Sequence, residues 1–148
     1  STKQIIEIGM NGGHSATMFL HYFKKSNVLS FDICEHTYTE KCHNLINKEF
    51  NKRHTLIKGD STKTVPKYNF KADIIYIDGG HYGKIPLTDL QNSLQYLSKP
   101  GTIILMDDTN YPWPYNLKDV DKPWRWFTKN NKIKSIKEIC GISVGIVQ

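Results

Sequence analysis

The chain has 148 residues, of which 39% are hydrophobic and 23% charged, with a formal net charge of +6. Length and apolar content describe one ordinary globular domain and exclude a disordered chain; no apolar stretch approaches the ~20 residues of a membrane span, and the N-terminal residues carry no long signal h-region. Lys and Arg are scattered, with only mild clustering over Lys129–Lys137, so the basic balance reads as a solvated surface and argues against a nucleic-acid partner.

Three cysteines, Cys34, Cys42 and Cys140, make an odd set without C-x-x-C spacing. That composition fits neither a disulfide framework nor a zinc site and points to a reducing, cytoplasmic compartment. The first apolar strand begins at Gln4 or Ile5 with almost nothing before it. Residues 1–148 are therefore expected to be a single domain cut from a longer, multidomain polypeptide.

Apolar runs and helix-like patterns alternate along the chain. "KQIIEIG" (3–9) reads as a buried strand, and "HSATMFLHYFKKS" (14–26) as a helix with Met18, Phe19, Tyr22 and Phe23 on one face. "NVLSFDI" (27–33) is a second strand, "TYTEKCHNLINKEFN" (37–51) a helix and "HTLIKGD" (54–60) a third strand. "ADIIYID" (72–78) is a fourth, its continuous apolar run implying burial on both faces. "PLTDLQNSLQYLS" (86–98) is a helix with Leu87, Leu90, Leu94 and Leu97 in phase, ended by Lys99-Pro100-Gly101. "TIILMDD" (102–108) is the fifth strand; "DVDKPWRWFTKNN" (119–131) reads as a helix, and 133–141 with 142–148 as a closing strand pair around Gly141. Strands alternating with helices of this length predict right-handed βαβ crossovers. The expected fold is a doubly wound α/β sandwich, mostly parallel, with an antiparallel C-terminal strand.

In such sheets ligands sit beyond the carboxyl ends of the strands, where strand order reverses. The first of these ends is "EIGMNGGHS", Glu7 to Ser15. Gly9, Gly12 and Gly13 allow a sharp turn and close backbone approach, the next helix offers unpaired N–H groups, and Ser15 is a candidate cap. Asn11 replaces the second glycine of the dinucleotide fingerprint, leaving E-x-G-x-x-G-G. The second strand ends in Asp32 and the third in Asp60-Ser61. A carboxylate at Asp32 can accept both hydroxyls of an adenosine ribose; the plain alternative is a helix cap or solvated turn. Four acids ending four successive strands favour a site.

These strand ends, Glu7-x-Gly9 with its glycine turn, Asp32, Gly59-Asp60-Ser61 and Asp78, resemble the class I S-adenosylmethionine-dependent methyltransferases over nearly the whole chain and in the same order. The resemblance implies a Rossmann-like methyltransferase sandwich with a cofactor site formed by Glu7, Gly9, Gly12, Gly13, Ser15, Asp32, Asp60, Ser61 and Asp78. It places Gly9 and its neighbours against the methionine part, Asp32 on the ribose, and Asp60 with Ser61 beside the adenine.

Carboxylates that end adjacent parallel strands, ~4.8 Å apart, can share a hard cation. Asp78 with Asp107 and Asp108 would form such an oxygen cup for Mg²⁺ or another divalent cation, and His81, one short turn from Asp78, would be the proton acceptor. The pattern D-x-x-H-x-Y followed by an acidic pair is similar to the metal-dependent O-methyltransferases, closest to the macrocin and mycinamicin sugar type and the cephalosporin-hydroxylase-like group. That resemblance implies Asp78, Asp107 and Asp108 as metal ligands, His81 as general base, and a small-molecule or sugar hydroxyl as acceptor. The catechol-type relatives use a lysine base, for which Lys84 is the candidate.

Other readings stay open at this point. Asp78-Gly79-Gly80 and Asp107-Asp108-Thr109 can be turn and cap, an NAD-type nucleotide-binding domain is possible, and so is a non-catalytic module of a larger protein. No N/D-P-P-Y motif follows the fourth strand, which disfavours amino-nitrogen methylation of RNA. His14, His21, His36, His43 and His54 receive no role, and Asp89 is expected on a solvated helix face. Trp113 and Tyr115 are expected in a lid over the site, with Trp124 and Phe127 in the core.

Overall fold

The computed structural model describes residues 2–111 and 117–148. Seven strands form one sheet in the order β3-β2-β1-β4-β5-β7-β6, where β1 is Gln4–Ile8, β2 Asn27–Asp32, β3 His54–Lys58, β4 Ile74–Ile77, β5 Ile103–Met106, β6 Ile133–Ile139 and β7 Ile142–Val147. The first five run parallel, and β7 is antiparallel to both β5 and β6. The doubly wound sandwich with an antiparallel C-terminal strand is thus the observed architecture.

Alternating strand residues divide the core between the sheet's faces, as the two-residue repeat of a strand requires. Ile6, Ile8, Leu29, Phe31, Ile75 and Ile104 pack beneath α4 (Ile85–Asn92) and α5 (Lys118–Lys129). Ile5, Val28, Ile74 and Tyr76 pack beneath α1 (His14–Tyr22) and α2 (Thr39–Glu49). Trp124 and Phe127 are buried, as expected. A short helix, α3 (Ser61–Thr64), follows β3 where no helix was expected, and α4 runs into a π turn at Ser93–Leu97.

Three expectations are corrected. The buried stripe of α1 is Ala16, Phe19 and Leu20, with Phe23 packed beside it, while Met18 and Tyr22 are exposed; the small Ala16 lets that face lie close on the sheet. Leu87 lies at the edge of the α4 interface and is exposed, whereas Leu90 and Leu97 are buried. Asp89, expected in solvent, is fully buried, because α4 turns its Pro86–Asp89–Ser93 face inward as well.

Register positions the site. Ile8 lies level with Phe31 and Ile77, and Ile77 with Met106. Gly9, Asp32, Asp78 and Asp107 therefore leave the sheet at one height, and strand order reverses between β1 and β4.

Candidate active site

A cleft of about 360 Å³ opens at these strand ends, lined among others by Gly9, Asp32, Asp60, Ser61, Asp78 and Gly80. Its size lies in the range of small-molecule sites. Glu7, Gly12, Gly13 and Ser15, the other cofactor candidates, do not line it.

The glycine turn is fixed by packing. Gly9 has φ +90°, and a Cβ there would fall 1.9 Å from the Asp78 carbonyl oxygen; glycine is required so that β1 and β4 can end side by side. Gly13 (φ +78°) is the N-cap of α1, and a Cβ would meet Ile46 at 2.5 Å. Gly12 has no such constraint: its nearest neighbour would be the His14 ring at 3.2 Å. Ser15 does not cap α1; its hydroxyl donates to Glu7. Ser30 donates to the other Glu7 oxygen at 2.5 Å, and burial pushes Glu7 up to about 7 despite both hydrogen bonds.

Asp32 closes the same turn. One oxygen accepts the Met10 and Asn11 N–H groups at 2.8 and 2.9 Å, the other the Cys34 N–H at 2.6 Å. Asp60 is the N-cap of α3, accepting from the N–H and hydroxyl of Thr62 and pairing with Lys63 at 3.1 Å. These bonds, Thr62 first, hold its carboxyl below the usual range.

At the β4–β5 end the arrangement is different. His81 Nε2 lies 3.0 Å from Asp108 and 3.5 Å from Asp78, and one ligand atom from each of Asp78, His81 and Asp108 falls within 4.8 Å of the others. All three are half-buried, and Asp78 also lines the cleft. Asp107 stands apart: Tyr76 O–H donates to one of its oxygens, and the Asp108 N–H donates to the other at 2.8 Å. The structure thus brings Asp78 and Asp108 together with His81, and ties Asp107 to Tyr76. Contact with Asp78, then the charges of Asp108 and Asp107, raise the His81 pKa against burial, and burial with the neighbouring acids raises that of Asp108. Two carboxylates and an imidazole within reach of one point are a donor set that suits a divalent cation.

Two participants were missed in the sequence. Tyr76 read as another apolar strand residue, yet it lies two positions before Asp78 and so shares its face. Asp89 reaches across to Ser61, whose hydroxyl donates to it at 2.7 Å. Lys84, the alternative base, is the N-cap residue of α4. Trp113 and Tyr115 lie outside the described residues. Among the described residues no helix is long and apolar enough to cross a membrane.

A family profile described as "Methyltransferase domain" matches residues 6–109. No curated protein matches the chain by sequence. Among solved structures, the chain is similar to an SAH-bound methyltransferase of Podospora anserina (TM-score 0.79, 18% identity, covering 99% of this chain and 72% of that one). It is also similar to a putative O-methyltransferase of Klebsiella pneumoniae (0.79, 17%, 99% and 74%) and to an SAH-bound O-methyltransferase of Bacillus cereus (0.77, 16%, 99% and 74%).

Proposed function

The chain belongs to the methyltransferase domain family, and on that footing we propose that it transfers the methyl group of S-adenosylmethionine to a hydroxyl of a small molecule or sugar beside a bound divalent cation. The observation that carries this reading is the double membership of Asp78: it lines the cleft and belongs to the Asp78–His81–Asp108 group. A cofactor lying along the strand ends would bring its reactive end to that group. S-adenosylhomocysteine in relatives of the same fold supports the cofactor. The strand order, with antiparallel β7 between β5 and β6, departs from the dinucleotide-binding order, and the NAD alternative falls away with the family assignment.

Ile8, Phe31 and Ile85 offer apolar walls to an adenosine. Asp32 already accepts three N–H groups, and a carboxylate has about four acceptor positions, so it grips one ribose hydroxyl rather than two. Asp78 and Asp108 hold the cation, with Asp107 as the oxygen held in reserve by Tyr76. Carboxylate oxygens suit Mn²⁺ as well as Mg²⁺. When bound, the cation supplies charge that lowers the pKa of a hydroxyl placed against it. His81, left uncoordinated beside the two acids, accepts the proton. Alignment of acceptor and methyl in the cleft supplies much of the rate. Exposed Tyr82, next to His81, offers a flat face on which a sugar or ring can stack.

Parallel calorimetry with S-adenosylhomocysteine and NAD tests the cofactor: micromolar binding of the first supports the reading, and binding of NAD alone overturns it. Full methyl transfer in EDTA rejects the cation.

A further inference from the structure

Ser61 is the one hydroxyl among the residues lining the described cleft, and its proton is already committed. It donates at 2.7 Å to Asp89, a carboxylate with no exposed surface. The second Asp89 oxygen is buried without a hydrogen-bond partner, and a Cβ on Gly79 would lie 2.8 Å from it. The side chain is therefore wedged between α3 and the loop that follows β4. A serine hydroxyl ordinarily rotates to act as donor or acceptor. Burial raises the Asp89 carboxyl to about 6, so at about pH 7.5 and above it is ionised and carries no proton; there Ser61 is the donor in this pair, and its oxygen presents only lone pairs to the cleft. Asp60, the neighbouring acid, is turned to Thr62 and Lys63 and does not compete for that position.

We propose that Asp89, a positioning residue acting through Ser61, sets the hydrogen-bond polarity of the purine end of the cleft, so that the pocket selects a base edge carrying an exocyclic amino group. The proposal rests on the cofactor reading above, in which the adenine lies beside Ser61. The apolar walls accept any purine plane; the Ser61 oxygen tells purines apart. An amino donor satisfies it, whereas a purine lacking that group leaves a desolvated acceptor unpaired.

The test compares two ligands by calorimetry: S-adenosylhomocysteine and its purine-riboside analogue, which keeps ring N1 but has hydrogen in place of the 6-amino group. The wild-type chain is expected to prefer the amino-bearing ligand about tenfold. In Asp89→Asn the amide can donate to Ser61, turning the hydroxyl proton into the cleft, and the preference falls to about twofold or less. Ser61→Ala gives the same loss, and the double variant adds nothing further. A purely structural role for Asp89 would weaken both ligands together and leave their ratio unchanged. Retention of the preference in both single variants, or its absence in the wild type, overturns the proposal while leaving the cofactor reading intact. Failure of the wild type to bind either ligand refutes the cofactor reading itself. If Asp89→Asn does not fold, Ser61→Ala decides alone.

Discussion

The two ends of the cleft handle their acids in opposite ways. At the β1–β3 end three carboxylates have neutral donors: Asp32 takes three backbone N–H groups, Glu7 two serine hydroxyls, and Asp60 the N–H and hydroxyl of Thr62. At the β4–β5 end Asp78 and Asp108 face one another across His81, and the Asp108 pKa is raised by burial and its acidic neighbours. The first end is complete as folded, and its hydrogen bonds hold a loop in the shape a ligand needs. The second concentrates like charge at a half-buried point, an arrangement that a cation relieves. On the proposed function, one end recognises and the other reacts.

If that division holds, substitutions at the two ends fail differently. The largest effect is expected for Asp108→Ala: methyl transfer should fall about 10³-fold, on the several kcal/mol that a bound cation supplies, while the Kd for S-adenosylhomocysteine stays within about threefold. Loss of both together would erase the distinction. Gly9→Ala should destabilise the fold by about 3 kcal/mol or more in chemical denaturation, because a methyl at φ +90° would collide with the Asp78 carbonyl. Asp32→Asn is the mirror of Asp108→Ala. It turns an amide N–H₂ against backbone donors, and should cost about 2 kcal/mol of stability and weaken S-adenosylhomocysteine about tenfold.

Much of this was legible in the sequence because its cause is local or periodic. Strands buried on both faces show as unbroken apolar runs, and acids that end them stand out against those runs. What stayed hidden depends on partners far along the chain. Asp89 looks like any charged residue on a helix until Ser61, 28 positions away, is folded against it. Asp32 reads as a ligand-facing acid, and only the closed turn shows how much of it serves Met10, Asn11 and Cys34. Tyr76 hides its hydroxyl in an apolar tetrad, although strand alternation already put it on the face of Asp78. For α1, large apolar side chains drew the inward face toward Met18, when the small Ala16 was the better guide to close packing.

A subtler test concerns the buried polar chain behind the glycine turn, where Ser30 bonds both Glu7 and His54 Nε2, the latter at 2.8 Å. Burial raises Glu7 from 4.5 to about 7 and lowers His54 from 6.5 to about 4. Glu7 therefore stabilises the fold below pH 4.5 and loses that contribution as pH rises to about 7. His54 contributes above pH 6.5 and loses it as pH falls toward about 4. Between pH 4.5 and 6.5 these two slopes oppose and cancel each other, leaving the wild-type profile to other groups such as Asp89, which burial raises to about 6. Relative to the wild-type profile, Glu7→Gln should gain about 2 kcal/mol from pH 4.5 to 6.5, and His54→Gln should lose a similar amount. Chemical denaturation across that range reads both; variant profiles that run parallel to the wild type would contradict the pairing. The smallest effect is expected at Gly12, where only the movable His14 ring stands near an added Cβ: Gly12→Ala should change stability by no more than about 0.5 kcal/mol.

The most direct measurement is a calorimetric titration of Mn²⁺ into the wild-type chain, Asp108→Asn and Asp32→Asn, each with and without S-adenosylhomocysteine. The expected result is a single site in the wild type, kept in Asp32→Asn and weakened at least about 30-fold in Asp108→Asn. Equal Mn²⁺ affinity in all three proteins, or none in the wild type, would contradict a cation held between β4 and β5.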